Sequence, residues 1–229
     1  MKLLALDTSS VACSVAIQLD DKVVERHEEQ PREHTRLLMP MIESAIEEAG
    51  VDLPDLDAIV LGNGPGSFIG MRIAASVAQG LAFGTGLEII PVSSMAAVAA
   101  QVFAQEDATE VVVAQDAHMS EVYLGIYRQD GGAIIDVVPE RLHAAELIVE
   151  LQDDTSEGRV AAGFGWQRHP DLYAANQHLF ARVSDIMHPR ACNLLGLSDA
   201  AVPVRPQDIV PAYLRQKVAD HKPPTRAKR

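Results

Sequence analysis

The chain has 229 residues, and 48% of them are hydrophobic, so it can bury a core as one large domain or two small ones and is not disordered throughout. The formal charge of −13 argues against direct capture of a nucleic-acid backbone, because such affinity depends on clustered lysine and arginine. The two cysteines, Cys13 and Cys192, are too few and too far apart for a disulfide framework or a cysteine-based zinc site.

The two ends of the chain differ in character. The apolar run at residues 3–6 is interrupted by Asp7, which makes it far too short for a signal peptide or a membrane span and predicts a cytoplasmic protein. Residues 217–229 combine prolines and basic side chains with few apolar ones, which predicts a disordered basic tail. Four of the nineteen basic residues lie in its last nine residues, 221–229: Lys222, Arg226, Lys228 and Arg229. The remaining sequence is therefore more acidic still.

The first half alternates strand and helix patterns. Period-two alternation predicts a meander of three short strands, and apolar residues at helical spacing predict the helices that follow. In chain order we predict strands 2–7, 11–19 and 22–27, helix 34–49, strand 56–61, helix 67–84, strand 88–92 and helix 94–105. The strand at 56–61 is apolar almost throughout, which is typical of a parallel strand covered on both faces.

A polar linker after residue 105 predicts a domain boundary. We divide the chain into an N-terminal subdomain, residues 1–106, and a less regular C-terminal subdomain, residues 107–216. In the second half we predict strands 110–115, 121–127 and 133–138, helix 144–151, strand 159–162 and helix 190–201. The two halves have a similar order of elements but share no repeat at the level of residues.

A glycine-rich turn, GNGPGS at residues 62–67, joins a predicted strand to a predicted helix. Backbone N–H groups at a helix N-terminus can bind an anion, so Gly64 and Gly66 are candidate phosphate-binding residues. The turn lacks the lysine that completes a Walker A motif, and it does not match the dinucleotide G-x-G-x-x-G fingerprint. A sharp strand-to-helix turn with no ligand remains the alternative, in which Ser67 caps the helix.

A second candidate for nucleotide binding follows the first strand. Asp7, Thr8 and Ser9 place a carboxylate and hydroxyl groups where they could hold a hydrated magnesium ion or a phosphate. An ordinary Asx turn uses the same residue types, so both interpretations stay open. His34 has Leu38 rather than a second histidine one turn later, which favours a capping or surface role over metal binding. The sequence contains no nucleophile motif, and we assign no catalytic residue.

The helices at 34–49 and 67–84 are candidates for a partner interface. Small and apolar residues recur along them at helical spacing, which would let another helix approach closely. Packing within the core of the chain itself is the alternative. The candidate interface residues are Leu37, Leu38, Met41, Ile42, Gly70, Ala74, Val77, Ala78 and Leu81.

Five motifs along the chain, taken together, resemble the bacterial TsaB family, also called YeaZ. They are LALDTSS at 4–10, HTRLLMP at 34–40, GNGPGSFIGMRI at 62–73, DAHMSEVY at 116–123 and PAYLR at 211–215. The chain departs from the family pattern at Ile69, where threonine is frequent, and at His118, where arginine is common.

The resemblance implies an α/β protein with the actin-like ATPase and sugar kinase fold, in which two subdomains each contain a mixed five-stranded sheet flanked by helices. It also implies a role in forming the threonylcarbamoyl group on the N6 atom of adenosine 37 in tRNAs that read codons beginning with A. In that role the chain is a noncatalytic scaffold and activator of the paralogous transferase TsaD, alongside the ATPase TsaE. It meets TsaD, or a second copy of itself when alone, through its first two helices.

The same resemblance implies that this chain touches tRNA only indirectly and needs no cofactor of its own, with ATP or ADP possible at the partner interface. TsaD-like enzymes hold a metal with an H-x-x-x-H helix, and this chain lacks that pattern at His34. Two alternatives remain, a nucleotide-binding transferase or kinase that uses Asp7 and the glycine turn, and a metallopeptidase-like protein.

Overall fold

The computed structural model describes residues 1–151 and 157–215, so the predicted tail at 217–229 lies outside the described residues. The ten strands are β1 (Lys2–Asp7), β2 (Ala12–Leu19), β3 (Lys22–Glu29), β4 (Ala58–Gly62), β5 (Glu88–Val92), β6 (Glu110–Asp116), β7 (Glu121–Asp130), β8 (Ala133–Ala144), β9 (Arg159–Ala162) and β10 (Arg182–Val183). The six α-helices are α1 (His34–Ala49), α2 (Phe68–Thr85), α3 (Ser94–Gln105), α4 (Phe164–Arg168), α5 (Pro170–Asn176) and α6 (Ala191–Leu195). In these ranges no helix is both long enough and apolar enough to span a membrane.

The strands form two five-stranded sheets with the same topology. The first has the order β3-β2-β1-β4-β5, and the second has the order β8-β7-β6-β9-β10. In each sheet the central strand pairs antiparallel with the strand that follows it and parallel with a later one, as β1 does with β2 and β4, and β6 with β7 and β9. The second sheet therefore repeats the first, with β6 in the place of β1. This confirms the predicted α/β class with two mixed sheets.

Helices cover both faces of both sheets. On one face of the first sheet, α1 and α2 bury a single apolar cluster with β1, β2 and β4. On the opposite face lie α6 and part of α3. Helix α3 also packs on the second sheet through Met95, Val98 and Val102, and α4 and α5 cover the far side of that sheet. Because α3 contacts both sheets, it joins the two halves into a continuous core.

The second half differs from the sequence-based prediction in two elements. The expected helix at 144–151 is wrong: Ala144 is the last residue of β8, and only a 3-10 turn at Val149–Leu151 follows. The expected helix at 190–201 is limited to α6, and a second 3-10 turn follows it. The backbone N–H groups of Ala145 and Ile148 donate to the Ser120 carbonyl and to Asn176 Oδ1, so contacts with other segments satisfy groups that a helix would have paired internally.

The last part of the predicted C-terminal subdomain returns to the first sheet. Helix α6 packs on β1 and β2, and the backbone of Val204 exchanges two hydrogen bonds with Ile89 of β5. Ile209 is buried in the same apolar cluster as α1 and α2. The boundary drawn at residue 106 therefore describes the two sheets, while residues 191–209 belong by packing to the first of them.

Candidate functional site

Asp7 ends the central strand of the first sheet and is 1% exposed. Its Oδ1 atom accepts hydrogen bonds from the backbone N–H of Ser9 at 2.8 Å and from the Ser9 hydroxyl at 2.9 Å, which is the geometry of an Asx turn. Its Oδ2 atom accepts a hydrogen bond from the Ser94 hydroxyl at 2.6 Å. Both oxygens of the carboxylate are therefore bonded within the chain.

Ser94 is the residue of this site that sequence reasoning missed. It begins α3, directly after Ser93, whose side chain caps that helix as predicted. The carboxyl ends of β1, β4 and β5 lie at the same edge of the first sheet, so a hydroxyl that follows β5 can reach the end of β1. The adjacency of these strand ends was the signal from which the contact between Ser94 and Asp7 could have been predicted. The backbone N–H of Gly64 also donates to the Ser94 hydroxyl, at 3.3 Å.

The glycine turn packs directly on the Asp7 turn. A Cβ on Gly66 would lie 2.3 Å from the Ser9 carbonyl oxygen, and one on Gly70 would lie 1.9 Å from the Thr8 carbonyl oxygen. The Thr8 hydroxyl donates to the Gly70 carbonyl at 2.6 Å, and the Ser67 N–H donates to the Ser9 carbonyl at 2.6 Å. Such distances require glycine, because any other side chain would displace the neighbouring backbone.

The five residues predicted to bind a nucleotide therefore do lie together, in a compact polar cluster. Thr8 and Ser9 are as buried as Asp7, and their hydroxyl groups donate to the cluster itself. Gly64 is buried as well. The arrangement fixes the start of α2 against the end of β1, with Ser67 as the predicted N-cap of that helix, accepting from the Gly70 N–H at 3.2 Å.

Burial raises the pKa of Asp7 above its ordinary value, and the hydrogen bonds from Ser94 and Ser9 only partly oppose that effect. His34 contributes a smaller opposing effect through its charge. His34 is buried rather than at the surface, and its Nε2 donates to the Ser10 carbonyl at 2.7 Å, which ties α1 to the same turn. In the described ranges no three His, Cys, Asp or Glu side chains are grouped to hold a metal ion.

The second sheet has an equivalent turn at the end of β6. Asp116 Oδ1 accepts from the backbone N–H of His118 at 3.0 Å, the same Asx geometry as at Asp7. The carboxylate also contacts His169 Nε2 at 2.9 Å and His118 Nδ1 at 3.2 Å. The three residues 118–120 are all left-handed, with φ between 54° and 61°, a conformation that side chains rarely adopt and that the surrounding contacts must hold.

The two aspartates have opposite electrostatic surroundings. Burial alone would raise the pKa of Asp116, but the hydrogen bonds from His169 and the His118 N–H, with the charges of both histidines, lower it below its ordinary value. Asp7 has hydroxyl partners instead, and its pKa is raised. The same turn is therefore closed and desolvated in the first sheet but more exposed and ion-paired in the second.

The predicted interface residues lie mostly on the inner side of their helices. Six of the nine are buried in the core of the first half: Leu38, Met41, Ile42, Gly70, Ala74 and Ala78. The remaining three, Leu37, Val77 and Leu81, are half-buried against the same cluster. A helix beside a sheet turns an apolar side toward it, and the residues chosen by helical spacing lie mostly on that inner side. The prediction is therefore corrected for these six residues: in the free chain they belong to the core and do not lie on the surface.

The outer side of the same two helices is also apolar. Helix α2 carries one charged residue in 18, Arg72, and its exposed residues include Phe68, Ile69 (70% exposed) and Phe83 (77% exposed). An open groove of about 480 Å³ runs between α1 and α2. We name the groove and its rim the α1–α2 face, lined by Thr35, Leu38, Met39, Ile69, Arg72, Ile73, Ser76 and Val77.

Two topologically equivalent mixed sheets, each with an aspartate turn at the end of its central strand, define an actin-like ATPase-type fold. Comparison with known proteins supports the same fold. The family described as "TsaD: tRNA N6-adenosine threonylcarbamoyltransferase" matches residues 24–181. A "tRNA threonylcarbamoyladenosine biosynthesis protein TsaB" from Escherichia coli is 36% identical, with 98% of this chain and 99% of that protein covered.

A second TsaB, from Haemophilus influenzae, is 35% identical, with 99% of this chain and 98% of that protein covered. The solved structure of YeaZ from Pseudomonas aeruginosa matches with a TM-score of 0.82 at 34% identity, covering 93% of this chain and 99% of that one. The chain belongs to the TsaB family, also called YeaZ, which confirms the resemblance found in the sequence motifs.

Replacing Gly70 with alanine should destabilise the fold, because the new Cβ would lie 1.9 Å from a backbone oxygen. Forced overpacking typically costs about 1–3 kcal/mol. Gly80 in the same helix is the matched control, since nothing lies within 4 Å of a Cβ there. Gly80→Ala should stabilise by about 0.5–1 kcal/mol through its higher helix propensity. Urea unfolding followed by circular dichroism measures both changes, and equal effects would contradict the role assigned to Gly70.

Asp7→Asn and Asp116→Asn should change stability in opposite directions at neutral pH. A raised folded-state pKa means that ionised Asp7 opposes folding, a penalty that is relieved as the pH falls through that pKa. A lowered pKa means that ionised Asp116 stabilises the fold above its unfolded-state pKa, and this is lost as the pH falls through the folded-state pKa. At pH 7 we therefore expect a higher Tm for Asp7→Asn and a lower one for Asp116→Asn, with both differences shrinking in acid. Tm shifts of the same sign at pH 7 would contradict the electrostatic assignment.

Proposed function

We propose that the chain acts in tRNA threonylcarbamoyladenosine biosynthesis as a noncatalytic partner that binds and activates a TsaD-type transferase. The names of its full-length relatives, tRNA threonylcarbamoyladenosine biosynthesis proteins, support the pathway. The observation that carries the partner role is the α1–α2 face, where a helix with a single charge exposes large apolar side chains beside an open groove. Exposed apolar surface of this kind is typical of a site that another protein covers.

A TsaD-type paralogue is the occupant that fits this face. The family that matches most of this chain is the transferase family itself, so such a partner shares the fold and presents its own pair of equivalent helices. Like faces on related chains can pack in a near-symmetric dimer, as identical faces do in a homodimer. A second copy of this chain is therefore the occupant in the absence of the paralogue.

The noncatalytic role is supported by the closed state of the Asp7 turn. The carboxylate oxygens and the hydroxyls of Thr8 and Ser9 are hydrogen-bonded to one another, to Ser94 and to the backbone of α2. Through these contacts the residues fix the N-terminus of α2, the helix that forms the proposed docking face. We propose that catalysis resides in the partner.

The wider assembly follows from the same proposal. The acidic composition favours tRNA contact through the partner rather than through this chain, because phosphate binding needs clustered basic residues. We further propose a TsaE-type ATPase as the third component, tRNAs that read codons beginning with A as the substrates, and a cytoplasmic location. ATP or ADP would then lie at the partner interface rather than within the closed Asp7 turn.

Reconstitution tests the class of function. Purified transferase, ATPase, threonylcarbamoyl donor and tRNA should form the modified nucleoside only when this chain is added, and the chain alone should form none. Mass spectrometry of digested tRNA measures the product. Product without this chain would overturn the activator role. Product from this chain alone, or calorimetric binding of ATP by it at submillimolar affinity, would favour a nucleotide-dependent enzyme instead.

A charge on the outer side of α2 should block docking without unfolding the chain. Ile69→Glu places a carboxylate at the rim of the groove, where a partner would have to desolvate it, so the Kd for the transferase should rise at least tenfold. Val149→Glu is the matched control, because Val149 is also 70% exposed but lies in the second half. Neither substitution should lower the Tm appreciably.

Calorimetric titration of the transferase with each variant gives the two dissociation constants. Equal affinities for Ile69→Glu and wild type would place the docking site elsewhere. Leu38→Glu and Ala74→Glu are unsuitable for this test, because both positions are buried and a charge there would unfold the core.

A further inference from the structure

The last described segment of the chain, residues 209–215, connects the two halves and is here named the strap. It starts in the first half, where Ile209 is buried in the α1–α2 core and the Asn63 side chain donates to the Val210 carbonyl at 3.0 Å. It ends in the second half, where Leu214 packs on the cluster shared by α3 and the second sheet. The strap therefore passes from the glycine turn to the other sheet.

Arg72 joins the strap to the α1–α2 face. Its Nε donates to the Tyr213 hydroxyl at 2.7 Å, and its guanidinium carbon lies 3.7 Å from the centre of the Phe68 ring. The rings of Phe68 and Tyr213 are themselves 5.3 Å apart. Arg72 is also one of the residues that line the groove. A protein that fills the groove must contact the same side chain that holds Tyr213 of the strap.

Arg215 holds the other end of the strap on the strained turn between β6 and β7. Its Nη2 donates to the Ala117 carbonyl at 2.8 Å and pairs with Glu121 Oε2 at 2.6 Å. Residues 118–120, between these two contacts, are the three left-handed residues. Consecutive residues in this conformation persist only where neighbouring contacts hold them, and Arg215 supplies two such contacts.

We propose that the strap couples the α1–α2 face to the turn between β6 and β7, so that a protein docked on the face changes the stability of that turn. The connection runs from Arg72 to Tyr213 through a hydrogen bond, along the backbone of the strap to Arg215, and from Arg215 to the turn through a second hydrogen bond. The docking half of this inference rests on the proposed function. The coupling within the free chain does not, since it depends only on contacts inside the chain.

Hydrogen exchange of the free chain tests the internal coupling. The N–H groups of Ala117 and Glu121 are hydrogen-bonded across the turn and report on its opening. Tyr213→Phe removes only the hydroxyl that Arg72 holds, and we expect exchange at residues 117–121 to become at least threefold faster. Tyr173→Phe is the matched control at a similarly exposed tyrosine of α5, and it should leave the turn unchanged. Unchanged exchange in Tyr213→Phe would overturn the coupling.

Exchange in the complex with a purified TsaD-type transferase tests the second half. Wild-type chain should show at least a threefold change at residues 117–121 on binding, and Tyr213→Phe should bind yet lose that change. A wild-type complex with unchanged exchange in the turn would overturn the coupling. If no complex forms with wild type, the proposed function fails, while the comparison of free variants still decides whether the strap couples the two regions.

Discussion

The contact between the Asp7 turn and the glycine turn is the constraint on which the rest of the first half depends. Gly70 stands so close to the Thr8 carbonyl that any added side chain would displace the first turn of α2. Helix α2 therefore buries Ala74 and Ala78 against the sheet and exposes Ile69 on its outer side. A shift or rotation of the helix at its N-terminus would move the whole α1–α2 face.

That contact also explains why an unfavourable buried carboxylate is present. Asp7 is desolvated and has no basic side chain as a hydrogen-bond partner, so its ionised form opposes folding at neutral pH. Its oxygens nevertheless organise Ser9 and Ser94, which in turn bond the segments carrying α2 and α3. At Asp116 the repeated turn has histidine partners and an arginine from the strap on the neighbouring backbone. The duplicated turn has thus taken a structural form in one sheet and an ion-paired form in the other.

Local sequence patterns predicted most of the first half, because its elements are specified by short-range signals. The strand bounds at 2–7 and 88–92, the helix bounds at 34–49 and 94–105, and both serine caps agree with the structure. The predicted helix at 144–151 was wrong because contacts with distant segments decide its conformation, as when Ala145 and Ile148 donate to Ser120 and Asn176. In the candidate site, the cluster of Asp7, Ser9 and the glycines was predictable from its motifs. Ser94 was missed because local patterns do not include the pairing of β1, β4 and β5, and the contacts of Arg215 with the Asp116 turn likewise depend on the folded topology.

The faces of α2 show why spacing alone could not locate the proposed docking surface. Nearly every residue of this helix is small or apolar, so both its inner and outer sides satisfy a helical pattern, and only the position of the sheet distinguishes them. Which protein covers the outer side then depends on more than apolar contact. Two copies of a chain with a charge of −13 repel each other over distances up to a Debye length of about 8 Å at physiological salt. Under the proposed function, a related chain of lower negative charge would avoid that repulsion, and electrostatics would then favour it over a second copy as the partner.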